Sequence, residues 1–212
     1  MSLAEYTHEH FQSLPTIEQA GARFVSINGE QLVHGSLREL FVNRGMDSTF
    51  GLCLMHRHAD LEGTEKLVHY HETSSPWKDF TGLPIKPVMW SMSTDGSTRP
   101  TEFRYSSQQE VLFDEKIISF VEEFNALAEK NDASGLFGLV EHPGDHFETT
   151  CEITQGRTNI NLLLADLPAE TPIIDTAWFF SPKLYQRGCK CACKEKTGGG
   201  HDHDYHYTTL RD

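Results

Sequence analysis

The chain has 212 residues, 38% of them hydrophobic, and a formal net charge of −13. That length suffices for a globular domain with its own core, and the acidity repels phosphate backbones and anionic membranes, which argues against nucleic acid and membrane partners. No apolar run approaches the roughly 20 residues of a membrane span, and the opening MSLAEYTHEHFQSLP has no basic start and no apolar secretory stretch, so a cytoplasmic location is expected.

Residues 1–22 read as helical turns, with Pro15 as a stop. RFVSINGE (23–30) alternates in the manner of a strand and turns at Asn28-Gly29. LRELFV (37–42) fits either strand or helix. Strands are expected over 49–58, 66–73 and 85–94, the last weakened by Pro87, and over 101–106 after a turn at Asp95-Gly96. FDEKIISFVEEFNALAEKND holds the clearest helix, at about 114–130. Asp114 is placed to cap it, Ile117, Val121, Phe124 and Ala128 share one face, and Asn131 is a plausible stop. TTCEIT and RTNINLLL flank Gln155-Gly156 as a hairpin, and PIIDTAWFF (172–180) reads as a last apolar strand.

The fold class expected from this order is α+β: a mostly antiparallel sheet, closed as a barrel or packed as a sandwich, with one substantial helix. Residues 1–187 form one globular domain in this reading. At 188–212 the composition changes to Cys, Lys, Gly, His and Asp, which marks a flexible tail.

The stretch CLMHRHADLEGTEKLVHYHE (53–72) carries two His-x-His pairs. With its flanks as antiparallel strands joined at Gly63-Thr64, His56 lies opposite His71 and His58 opposite His69. All four rings then point to one face, with opposed Cβ atoms about 4.5–5.5 Å apart, near enough to share one ion. The same face continues as Leu54, Leu52 and Phe50, so the imidazoles end an apolar stripe. Four buried imidazoles without partners would be costly, and a metal ion satisfies their nitrogens together. Cys53 falls on the other face, in the core.

HRHADLE also resembles the first metal motif of the cupin barrels, in which two histidines and a glutamate bind iron, manganese, zinc or copper. That resemblance implies His56, His58 and Glu62 as ligands, with a fourth histidine from a second motif near a Pro-Gly turn, for which EHPGDHFE offers His146. The hairpin instead uses His69 and His71 and leaves Glu62 in the turn, so the two ligand sets stand as alternatives.

In the tail, Cys189, Cys191 and Cys193 alternate with Lys and Ala, and thiolates at every second position suit Zn(II) or Cu(I). Lys190 and Lys194 favour thiolate over thiol. His201, His203 and His206 follow a three-glycine link that lets imidazoles close on an ion already held by sulfur. In a reducing compartment such a cluster points to metal rather than to disulfides.

Three functions are compatible with these features. The first is an intracellular metal-binding protein (Zn, Cu or Fe) whose main ligands are the histidine cluster, with the Cys/His tail as helper or second site. The second is a cupin-like metalloenzyme, an oxygenase, isomerase or hydrolase acting on a small organic substrate. The third is a metal-free β-barrel that binds a small molecule.

Overall fold

The computed structural model describes residues 2–93, 96–147, 150–163, 173–185, 188–195 and 201–208; of Ser2, Thr150, Cys151, Ile173, 188–195 and 201–208 it describes the backbone only. It is a mixed α+β fold in which a curled sheet carries helices against one face.

The N-terminal third is helical after a short strand, β1 (Ser2–Leu3). Thr7 caps α1 (His8–Gln12). Thr16 and Gln19 form a reciprocal capping box that starts α2 (Ile17–Ser26). This corrects the expected strand at 23–30. Ile17, Ala20 and Gly21 are buried along one helical stripe, Phe24 and Ile27 extend it against the core, and Phe24 stacks on Trp178 at 5.5 Å. Over Phe24–Ile27 a helical stripe also alternates, and the capping box decides between the two periods. Asn28 still breaks the helix, in the left-handed conformation at φ 55°. The chain continues through α3 (Gly29–Leu32), a wider turn at Val33–Leu37 and α4 (Arg38–Asn43), so LRELFV is helical.

The strands are β2 (Phe50–Leu54), β3 (Lys66–Tyr70), β4 (Thr73–Trp77), β5 (Ile85–Met92) and β6 (Ser97–Tyr105). After α5 (Glu115–Lys130) follow β7 (Phe137–Glu141), β8 (Thr150–Gln155), β9 (Thr158–Leu163), β10 (Ile173–Trp178), β11 (Gly188–Glu195) and β12 (His201–Thr208). Their order is β6-β3-β4-β9-β8-β11-β10-β2-β7-β5, and β5 pairs back onto β6. Most pairings are antiparallel, but β1–β6, β3–β6 and β8–β11 are parallel.

Two corrections follow. β2 pairs with β7 and β10 rather than with β3, so 53–72 is not a hairpin. β3 makes its hairpin with β4 instead. β2 ends at Leu54, and residues 55–65 form the connection to β3. Of the C-terminal segment, expected as a flexible tail, 188–195 and 201–208 have their backbone in the sheet: β11 runs between β8 and β10, and β12 pairs with β11.

α5 begins at Asp114, whose side chain accepts from the Ile117 N–H at 2.9 Å. Its buried residues Ile117, Phe120, Val121, Phe124 and Ala128 join Phe50, Leu52, Trp90, Phe137 and Trp178 in the main core. The opposite face of β2 supplies Cys53 and Met55 to a second cluster with Phe11, Leu14, Leu61, Leu67 and Ala177. β2 is buried at every residue because it is covered on both faces, by helices on one side and by the curl of the sheet on the other.

The close approach of β2, β7 and β5 depends on Gly138. It pairs with Cys53 on one side and Ser91 on the other, and a methyl group there would run into the Trp90 carbonyl oxygen and Met55 Sδ. Backbone cannot move aside as a side-chain tip can, so Gly138→Ala is expected to destabilise by about 1–3 kcal/mol. Thermal unfolding checks this: a melting temperature lower by several degrees is expected, and an unchanged one contradicts the packing.

Candidate functional site

The curl of the sheet encloses a cavity of about 260 Å³. Its floor is polar. His56 and His58 arrive on the connection that leaves β2, His69 comes from β3, Glu102 from β6 and Glu152 from β8. The parallel pairing sets Leu67 beside Glu102 and His69 beside Arg104. Side chains two residues apart on a strand share a face, so His69, Glu102 and Arg104 all line the same space. Leu54, Met89, Val140, Phe147 and Phe179 give it an apolar wall.

His56 is 7% exposed. Its Nδ1 lies 2.8 Å from the Leu54 carbonyl oxygen. A carbonyl only accepts, so Nδ1 carries the hydrogen and donates it. The other nitrogen, Nε2, is buried and has no hydrogen-bond partner. Burial pushes the pKa of His56 down to about 4, and His58 adds to the effect. The neutral ring therefore presents a bare lone pair at Nε2. Such a nitrogen is costly to bury unless something occupies it.

The His56 and His58 rings stand 4.5 Å apart between centroids, edge to face. His58 Nε2 is 3.6 Å from Glu102 Oε1 and 3.9 Å from Glu152 Oε1. These separations are too long for hydrogen bonds. Burial also lowers the pKa of His58, partly offset by Glu102. Glu102 Oε2 accepts from His69 Nε2 at 2.6 Å, and His69 Nδ1 contacts Ser74 Oγ at 2.6 Å. Burial alone would raise the Glu102 pKa, but the hydrogen bond and charge of His69, with His58 and His56 beyond, bring it down to about 2. The carboxylate is thus ionised, anchored by one oxygen and directed at His58 with the other.

Three of the histidines expected from the sequence, His56, His58 and His69, meet in this cavity, by strand order rather than by a hairpin. His71 takes a left-handed turn conformation at φ 52° between β3 and β4 and reaches only the exposed rim. Glu62 is exposed on the connection before β3 and pairs with Lys78 at 3.1 Å and Arg157 at 3.7 Å. His146 lies in the exposed turn after β7. The set His56, His58, Glu62, His146 implied by the cupin resemblance is therefore not assembled. The side chains of Cys189, Cys191, Cys193, His201, His203 and His206 lie outside the described residues, although the β11 backbone places Cys191 in register with Glu152. Among the described residues, no three His, Cys, Asp or Glu side chains already form a metal-holding group.

Sequence reasoning missed Glu102, Glu152 and Arg104. In TEFRYS, Glu102 and Arg104 alternate with Phe103 and Tyr105, which puts the two charges on one face of a strand but does not make that face the inward one.

In the metal-free protein His56 makes stability depend on pH. Its folded pKa of about 4 lies below the ordinary 6.5, so between these values the unfolded chain binds a proton that the folded chain refuses. Stability is then complete above about pH 6.5 and falls as pH is lowered towards 4. Urea unfolding in the presence of a chelator should show a loss on the order of 2 kcal/mol between pH 7 and 4.5, and His56→Gln should flatten that slope. An equal slope in the variant contradicts the burial of a neutral His56.

Comparison with protein-family models, curated proteins and solved structures finds no match, so the functional reading rests on the cavity's own geometry.

Proposed function

We propose that the chain binds one divalent first-row transition metal ion at His56, His58 and Glu102, with Glu152 at the edge of the site, and that the ion keeps an open face towards a small organic molecule in the cavity. The observation that carries this reading is His56 Nε2, a buried lone pair with no partner, on a ring whose other nitrogen is fixed to a backbone carbonyl. That is how protein-bound metals have their imidazole ligands oriented.

The spacing of the other donors supports it. Two donors each about 2.0–2.2 Å from one tetrahedral ion stand roughly 3.4 Å apart, and His58 Nε2 and Glu102 Oε1 are separated by 3.6 Å. In this reading His69 holds Glu102 from behind, with Ser74 holding His69 in turn. Two imidazoles and a carboxylate suit Zn(II) or Fe(II) better than the thiolate-preferring Cu(I). Such an ion would act as a Lewis acid and as an activator of water or oxygen. The chain's own residues would fix the ligands, exclude bulk water with the apolar wall and orient the organic molecule.

Removing residues 188–212 would take out β11, which lies between β8 and β10, so truncation does not isolate the cysteines. The test uses point variants of untagged protein, titrated with Zn(II) or, without oxygen, Fe(II), and analysed for bound metal. About one equivalent is expected. His56→Ala and His58→Ala should each weaken binding by at least the 10–100-fold typical of disturbing a ligand's support. A variant with Cys189, Cys191 and Cys193 changed to Ser should keep the ion. Wild-type protein that holds no metal, or loss confined to the cysteine variant, contradicts the proposal; the first result would favour a metal-free binding cavity.

A further inference from the structure

We infer that the molecule taken into this cavity is a small organic acid whose carboxylate docks on Arg104. The chemical role of that molecule rests on the metal reading above, but its recognition by Arg104 stands on separate observations.

Beside the carboxylate-imidazole floor, the cavity lining holds a carboxylate shared by two cations. Glu141 lies between two cations: Lys86 Nζ donates to its Oε1 at 2.7 Å, and Arg104 Nη1 donates to its Oε2 at 3.2 Å. Lys86 is 4% exposed and also donates to the Gln109 carbonyl at 3.3 Å. A buried lysine beside a carboxylate already neutralises it. The guanidinium of Arg104, 36% exposed, is therefore not needed to neutralise Glu141; it spends one nitrogen there, and the rest of its fork has no other described partner.

The other carboxylates of the cavity are turned elsewhere. Glu102 is held by His69, Glu152 faces His58, and Glu72 is exposed at the rim. A planar fork with free donors is matched by a carboxylate, which it can bind through two parallel hydrogen bonds.

Position and size narrow the ligand further. Arg104 lies two residues beyond Glu102 on the same strand, a separation of about 7 Å. A molecule holding its carboxylate on Arg104 would lay its body across to the proposed ion, against Met89, Val140, Phe147 and Phe179. The volume of about 260 Å³ falls just below the usual range for ligand pockets. It suits a one-ring or short-chain acid.

Benzoate and its neutral shape-match benzamide test this by calorimetric titration, on protein stripped with chelator and on protein loaded with Co(II). Benzoate is expected to bind at least about 10-fold more tightly than benzamide to both forms. Arg104→Gln should weaken benzoate about 10–100-fold, as befits a charged hydrogen-bonded contact, while leaving benzamide binding and Co(II) content unchanged. Arg104→Lys, which keeps the charge and loses the fork, should fall between. Equal binding of the two probes, absence of binding by either at millimolar concentration, or benzoate binding that survives Arg104→Gln overturns the inference. If Co(II) is not retained but benzoate still discriminates through Arg104, the metal reading fails and the organic-acid site stands. If Co(II) is retained and benzoate binds it regardless of Arg104, the reverse holds.

Discussion

The hydrogen bond from His56 Nδ1 to the Leu54 carbonyl is the constraint on which the site depends. It does two things at once. It fixes the ring's tautomer, because the carbonyl can only accept. It turns Nε2 away from the backbone and into the sheet's interior. The ring's neutrality comes from elsewhere: burial, helped by the neighbouring His58, outweighs the pull of this bond towards the protonated form. A core with no use for a lone pair would place a leucine here, as it does at Leu52 and Leu54.

Around that nitrogen the fold gathers groups from distant parts of the chain. β2 is covered on both faces and carries His56 and His58 off its end. The parallel pairing of β3 with β6 delivers His69 and Glu102 to one face, and the β8–β9 hairpin brings Glu152. The hydrophobic work is done elsewhere, by α5 and α2 packing aromatic and aliphatic side chains onto the outer face of β2, β5 and β7. This division lets the inner face carry imidazoles and carboxylates that a conventional core would reject. The buried carboxylate of Glu102 is stabilised by His69 rather than by bulk water, and Glu141 is stabilised by Lys86 and Arg104. The cavity thus has two electrostatic poles: the carboxylate-imidazole cluster that would hold the proposed cation, and Arg104, which would hold the proposed anion.

How much of this was legible in the sequence varies by element. The stripe Ile117, Val121, Phe124, Ala128 that marks a helix in the sequence is the buried face of α5, because a 3.6-residue period over many residues has few other readings. The segment 23–30 misled because four residues are too few to separate alternation from a helical stripe, and the decisive sign, Thr16 with Gln19, lay upstream. His56 and His58 stood out as a local pair, and their convergence with His69 was expected for the wrong reason. Short-range reasoning joins neighbouring strands into a hairpin, whereas β2 finds its partners in β7 and β10. Glu102 was out of reach for the same cause: it contacts His69 across 33 positions of sequence, through a parallel pairing that no local spacing announces. The resemblance to the cupin motif pointed to the right pair of histidines and to a glutamate, but Glu62 is engaged by Lys78 and Arg157 at the surface.

The most direct test of the central claim is X-ray absorption spectroscopy at the metal edge of zinc-loaded, untagged protein. A first shell of nitrogen and oxygen only, at about 2.0–2.1 Å, with the outer-shell scattering of two imidazoles, is the predicted result. A shell dominated by sulfur at about 2.3 Å would place the ion on the cysteines of β11 and contradict the account of the cavity.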